Sequence, residues 1–228
     1  MMSEAETLTP TETAVVASVS VRDVNRVIDE KILPEALYAV GRDRTRRLLI
    51  DSCVFISFYF ETSNRLTAEE RTRAITAAMP LREQPEWRNC LMSTCKESLL
   101  DDWIENTFNI REEFLTINLA PFLKRTRERL SRLFASRELV IEDPLILSGT
   151  PVIKGTRIPV YDVASSVSAG LPLSRIRRAY PGLSDNDIEL AAIYAEANPP
   201  RGRPRRPSGP PAGSVIIAAN RVRRRPRT

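Results

Sequence analysis

The composition of this 228-residue chain breaks sharply at Pro199, and that break decides which part can build a core. From Pro199 to Thr228 there are nine arginines, no acidic residue and a wealth of Pro and Gly, interrupted only by the apolar island Val215 to Ala219. Such a stretch cannot bury enough apolar surface to offset the entropy of ordering it. Nine of the 34 basic residues lie there, leaving 25 basic against 29 acidic residues in Met1 to Asn198. The body therefore carries about −4 and the tail +9, which together give the formal +5. The cationic character belongs to the tail.

The body has length enough for one large or two small domains. Its longest apolar run, Leu48 to Phe60, is interrupted by Asp51 and Ser57 and is too short to span a bilayer. The polar start, Met1 to Pro10, has none of the features of a secretory signal, so the expected location is cytoplasmic, with no membrane partner. The chain contains no histidine, and Cys53, Cys90 and Cys95 form no paired spacing. Zinc sites lean on His or on paired thiolates, and Ser-His-Asp triads and Cys-His nucleophiles need a His, which is missing here. No enzymatic activity, cofactor or metal is expected, and the cysteines read as small buried hydrophobes.

After a lead expected to lack structure over residues 1–9, helical spacing begins at Pro10 with Ala14, Val15 and Val19. Ser20 is placed to cap a second helix, with Asp23 as the capping-box acid, and Val21, Val24, Val27 and Ile28 repeat at helical spacing up to a stop at Pro34. Two short helices across so tight a break predict a helix-turn-helix within residues 10–80. Gly41 opens a basic turn like a wing, and Thr67 caps a further helix expected to stop at Pro80. Residues 81–138 connect, with a β-like run around Phe114 to Phe122 and an amphipathic helix over Pro121 to Arg137. Within 139–197 a short strand at Leu139 is followed by a hairpin of Leu145 to Leu147 against Val152 and Ile153. Three short helices complete it, beginning near Val160, Ser174 and Ser184. The expected fold class is mainly α with short β hairpins, a winged-helix-like N-terminal part, a trihelical C-terminal part and a disordered basic tail over 198–228.

Two stretches carry the functional reading. The first is Asp143-Pro144, then the Gly149 to Val160 segment with its Lys154-Gly155-Thr156-Arg157-Ile158-Pro159 core, then Gly170, Tyr180-Pro181 and the acidic-capped run to Ile188. It resembles a small domain, long catalogued as of unknown function, that occurs in VapB-like antitoxins. Ser148 departs from the resemblance, which commonly has a second glycine there. Gly155 permits a turn that most side chains disfavour, Pro159 fixes the way into the helix, and Arg157 projects from a rigid corner near Lys154. That pair suits a phosphate or an acidic partner; alternatively Arg157 closes internally on Asp143 or Asp162. The acids Asp185, Asp187 and Glu189 make the third helix a poor reader of DNA.

The second stretch, Val19 to Pro34, resembles the first helices of winged-helix and MerR-like DNA-binding domains. Arg22, Asn25 and Arg26 fall near one polar face of its second helix, suited to base edges and phosphates, and Arg42, Arg44, Arg46 and Arg47 form a wing-side phosphate clamp. In the tail, Arg201, Gly202, Arg203 and Pro204 look like the core of an AT-hook that enters a narrow minor groove. The other reading has Val215, Ile216 and Ile217 fill a groove on a toxin while Arg221, Arg223, Arg224 and Arg225 neutralise its acidic metal site. The resemblance implies a type II antitoxin, a homodimer that masks a PIN-type ribonuclease toxin and represses its own operon at operator DNA. The alternative is a stand-alone DNA-binding transcriptional regulator with no toxin partner.

Overall fold

The computed structural model describes residues 7–92, 109–112 and 115–200. It is mainly α-helical with short antiparallel strand pairs, and among the described residues no helix is long and apolar enough to cross a membrane. The two named tail motifs and Cys95 lie outside the described residues, as does residue 114 of the expected β run.

Strand β1 (Thr7–Leu8) precedes helices α1 (Pro10–Ala17) and α2 (Val21–Asp29), and strands β2 (Tyr38–Val40) and β3 (Arg46–Leu49) follow. The three strands make one antiparallel sheet in the order β1-β3-β2, with Thr7 opposite Leu49 and Ala39 opposite Arg47. Thr7 and Leu8, expected within the unstructured lead, are thus ordered, because Leu8 is fully buried beside Leu48. Both short helices start on capping boxes, Thr9 with Glu12 and Ser20 with Asp23, which satisfy backbone N–H groups that the first turn leaves free. The tight break between them is made by Ser18 in the left-handed conformation (φ 57°). Helix α2 stops at Asp29, one turn before Pro34. Lys31 turns left-handed (φ 53°), and the Ile32 and Leu33 amides both donate to the Val27 carbonyl, which sinks those two side chains into the core.

The apolar run from Leu48 resolves into the end of β3 and helix α3 (Ser52–Glu61), buried over nearly its whole length. Helix α4 (Ala68–Arg82) starts on the expected cap Thr67, in a capping box with Glu70, but passes through Pro80 instead of stopping there. Pro80 lacks the N–H that would bond the Thr76 carbonyl, but only two helical residues follow it, and Arg82 among them is held by Asp51 at 3.2 Å. The connecting stretch after it contains helix α5 (Pro85–Met92), whose Trp87 is fully buried and stacks on Phe55. Strands β4 (Asn109–Glu112) and β5 (Leu115–Asn118) form a hairpin leading into the long helix α6 (Ala120–Leu139).

The rest is organised around β6 (Val140–Ile141) and β7 (Val152–Ile153), followed by α7 (Val160–Ser168), α8 (Leu173–Ala179) and α9 (Asp185–Ala197). The expected strand at Leu145 to Leu147 does not form: β7 pairs with β6, and residues 147–149 make a 3-10 turn. Three consecutive left-handed residues, Leu147 (φ 46°), Ser148 (φ 56°) and Gly149 (φ 82°), leave no room for an extended segment. A small core of Ile153, Val160, Val163, Ile176, Leu183 and Ile188 holds the three helices together. The larger core joins Leu8, α1, α2, α3 and α6, and Ala197 at the end of α9 belongs to it.

Candidate nucleic-acid interface and the C-terminal corner

The hairpin β2–β3 is fastened to α2 by one side chain. Arg46 donates from Nη1 to Asn25 Oδ1 at 2.7 Å and from Nη2 to Asp29 Oδ1 at 2.6 Å. A guanidinium fork that spans a carboxylate and an amide oxygen fixes both distance and orientation. Arg46 is therefore a tie between strand and helix, whereas the sequence placed it in the phosphate clamp. Asn25 is half-buried and its carbonyl oxygen is engaged by Arg46, and Arg26 is paired with Glu30 at 3.0 Å one turn along. Asp29 was not singled out from the sequence, although its position four residues after Asn25 places both on one helix face.

Four of the expected DNA-contacting residues stand open. Arg22 on α2, Arg42 and Arg44 in the turn and Arg47 on β3 are exposed, and none makes an ion pair among the described residues. The turn that presents Arg42 and Arg44 is internally closed. Asp43 accepts from the Thr45 amide at 3.1 Å and the Thr45 hydroxyl at 2.6 Å, bonds that hold its carboxyl below the usual range. Gly41 donates to the Thr45 carbonyl at 2.7 Å, and a side chain on Gly41 would run into Thr45 Oγ1 and Asp43 Oδ1. Arg44 itself is left-handed (φ 64°), so its side chain leaves the turn in a direction set by the backbone.

At the other end of the chain, Lys154 and Arg157 sit on the turn between β7 and α7. Thr156 closes it: its amide donates to the Ile153 carbonyl at 3.0 Å and its hydroxyl to the same carbonyl at 2.8 Å. The Thr156 hydroxyl also accepts from the Ile158 amide at 3.0 Å, and Gly155 supplies the left-handed step (φ 77°). Both cations are exposed and neither makes an ion pair among the described residues. The internal alternatives for Arg157 are not taken: Asp143 Oδ1 instead accepts from the Leu145 amide at 2.8 Å, and Asp162 is exposed on α7.

The acids of α9 are largely accounted for within the chain. Asp187 closes the capping box with Ser184, Glu189 pairs with Arg132 of α6, and Asp185 lies 3.6 Å from Arg177. The helix packs on α6, α7 and α1. Beside its end, the Tyr161 hydroxyl donates to the Asn198 carbonyl at 2.8 Å, fixing where the chain leaves the body.

Comparison with known proteins bears mainly on the C-terminal part. Residues 140–195 match the protein family of unknown function DUF433, which spans β6 to α9. The whole chain is 50% identical over 230 residues to the uncharacterized protein y4eO of Sinorhizobium fredii (strain NBRC 101917 / NGR234), an alignment covering 100% of this chain and 98% of that protein. No solved structure matches. With its small trihelical core matched to that family model and its full length to a 50% identical relative, this chain belongs to the family of the Sinorhizobium fredii protein y4eO and carries a DUF433 domain at residues 140–195.

Proposed function

We propose that this protein is a cytoplasmic DNA-binding regulator of the antitoxin type: α2 and the β2–β3 hairpin grip operator DNA, and the C-terminal part engages a toxin. The observation that carries the DNA reading is the set of four exposed, unpaired arginines (22, 42, 44 and 47) on a helix and a hairpin locked together by Arg46. A helix supplies side chains to base edges, and arginines on an adjoining hairpin meet phosphates on either side. Because Asp43 and Thr45 pre-form the turn, little ordering remains to be done on binding.

The partner reading draws on the Lys154–Arg157 corner, a rigid cationic surface that makes no ion pair among the described residues, and on the arginine-rich sequence that begins at Arg201. Both suit a partner with clustered carboxylates, such as a PIN-type ribonuclease whose acidic site holds Mg²⁺. A homodimer would match a palindromic operator.

Fluorescence anisotropy with DNA from upstream of the gene, between 50 and 200 mM salt, tests the first half. Replacing Arg22, Arg42, Arg44 and Arg47 by alanine should weaken binding and flatten the log–log salt slope by about 0.9 per lost phosphate contact. Wild-type protein that does not bind DNA at 50 mM salt would end this reading. Co-expression with the adjacent open reading frames tests the second: a co-purifying nuclease supports an antitoxin, and DNA binding without one leaves a stand-alone regulator.

A further inference from the structure

Away from the arginine surface, a cavity of about 690 Å³ opens between the end of α3, the loop after it, β5 and the start of α6. Its walls are Phe58, Leu66, Ile117 and Phe122. Phe58 and Phe122 meet edge to face, with ring centroids 5.5 Å apart at 88°, an aromatic corner within the apolar lining. The volume falls within the range of small-molecule pockets, and the lining has their usual character, an apolar body with a few convergent polar groups.

The polar groups are unevenly charged. Arg125 and Arg65 line the mouth along with a single carboxylate, that of Glu61. Arg125 stacks over the Phe122 ring at 5.0 Å and gives one Nη2–H to Glu61 at 2.6 Å. A guanidinium has five N–H donors in a fixed fork, so the rest of its capacity stays available at the cavity. Arg65 is exposed and, among the described residues, its side chain has no partner. Two guanidinium groups against one carboxylate leave the mouth of an apolar cavity with a net positive charge.

We infer that this cavity binds a small amphiphilic carboxylate, its apolar body against Phe58, Leu66 and Phe122 and its carboxylate on Arg125 and Arg65. The inference does not depend on DNA recognition by α2. An acid with a compact apolar body suits the site best, since the lining is mainly apolar and Arg125 offers a planar fork to the carboxylate.

The test is titration of the full chain with 2-naphthoate, followed by calorimetry and by amide chemical shifts. Expected is saturable binding at micromolar to low millimolar concentration, with shifts concentrated in Glu61 to Leu66 and Thr116 to Arg125. Arg125→Gln should weaken it by about tenfold, as should the uncharged analogue 2-naphthylmethanol, in line with loss of a charge-assisted bond. Arg65→Gln, an exposed loop change that leaves the core untouched, should weaken it several-fold. No saturable binding, shifts confined to other regions, equal affinity for 2-naphthylmethanol, or undiminished binding by either variant would overturn the inference.

Discussion

Arg46 on β3 and Asp29 on α2 are joined by an ion pair at 2.6 Å, reinforced by a second contact from Arg46 to Asn25. The pair is partly solvated, so its Coulomb energy is modest, but its geometry sets how the hairpin stands against the helix. Arg46→Ala removes every one of these bonds and should cost about 1–2 kcal/mol; Asp29→Ala, which leaves the Asn25 contact, should cost about 0.5–1 kcal/mol. Urea denaturation of the two variants checks the order. Equal losses would mean that Asn25 contributes nothing.

Glu12 is a buried carboxylate with two tasks: it completes the capping box of α1 through the Thr9 amide at 2.8 Å, and it pairs with Arg137 near the end of α6. Glu12→Gln keeps a hydrogen-bonding side chain but deprives Arg137 of its counter-charge. A loss of about 2–3 kcal/mol in urea denaturation is expected, below the value for a fully buried pair because Arg137 retains some solvent access.

Asp51 is largely buried, and burial pushes its carboxyl pKa above the ordinary value against the opposing pull of the Trp87 indole N–H at 3.0 Å and of Arg82. A folded-state pKa above the unfolded one means that the native state holds the proton more tightly. Stability from this group is then full below about pH 4 and is lost as pH rises through the folded value. Asp51→Asn cannot ionise and keeps an acceptor for Trp87. Beyond a constant loss from the missing counter-charge of Arg82, the variant's stability relative to wild type should therefore rise as pH increases above about 4 in paired denaturation curves. A difference independent of pH would contradict the assignment.

Ser148 occupies a left-handed conformation (φ 56°, ψ 37°) that glycine adopts freely. Ser148→Gly should raise stability by roughly 0.5–1 kcal/mol, the relief of strain exceeding the added freedom of the unfolded chain. Gly155→Ala should do the reverse by a similar amount: its Cβ would meet no atom within 4 Å, so only the backbone conformation (φ 77°) penalises it. Thermal melts of both variants decide.

Local chemistry in this chain was legible from the sequence and long-range chemistry was not. The caps at Ser20, Thr67 and Ser184 and the turn at Gly155 were evident, because each depends on residues three or four positions apart. The stop expected at Pro80 does not occur, because Arg82 beyond it is held by a partner thirty-one residues back, which no local pattern announces. The Leu145 to Leu147 strand does not form because a short apolar run says nothing about the backbone sign at Leu147 and Ser148. Arg46 looked like one more cation in a basic run, and only the fold brings Asp29 to it. The cavity beside Phe122 draws its walls from two stretches some fifty residues apart, so no local pattern announces it.

Helix α1 is enclosed by α2 and α3, its neighbours along the chain, and equally by α6 and α9, which are made much later. During synthesis Ala14, Val16 and Ala17 leave the ribosome early, yet their last wall does not exist until Ala197 has followed, about 180 residues afterwards and thus on the order of ten to forty seconds. The nascent chain carries an unfinished apolar seam for that whole interval. Its quality of folding in the cell will depend on translation speed and on chaperones that shield the seam, in a way that dilute refolding of the finished polypeptide would not reproduce.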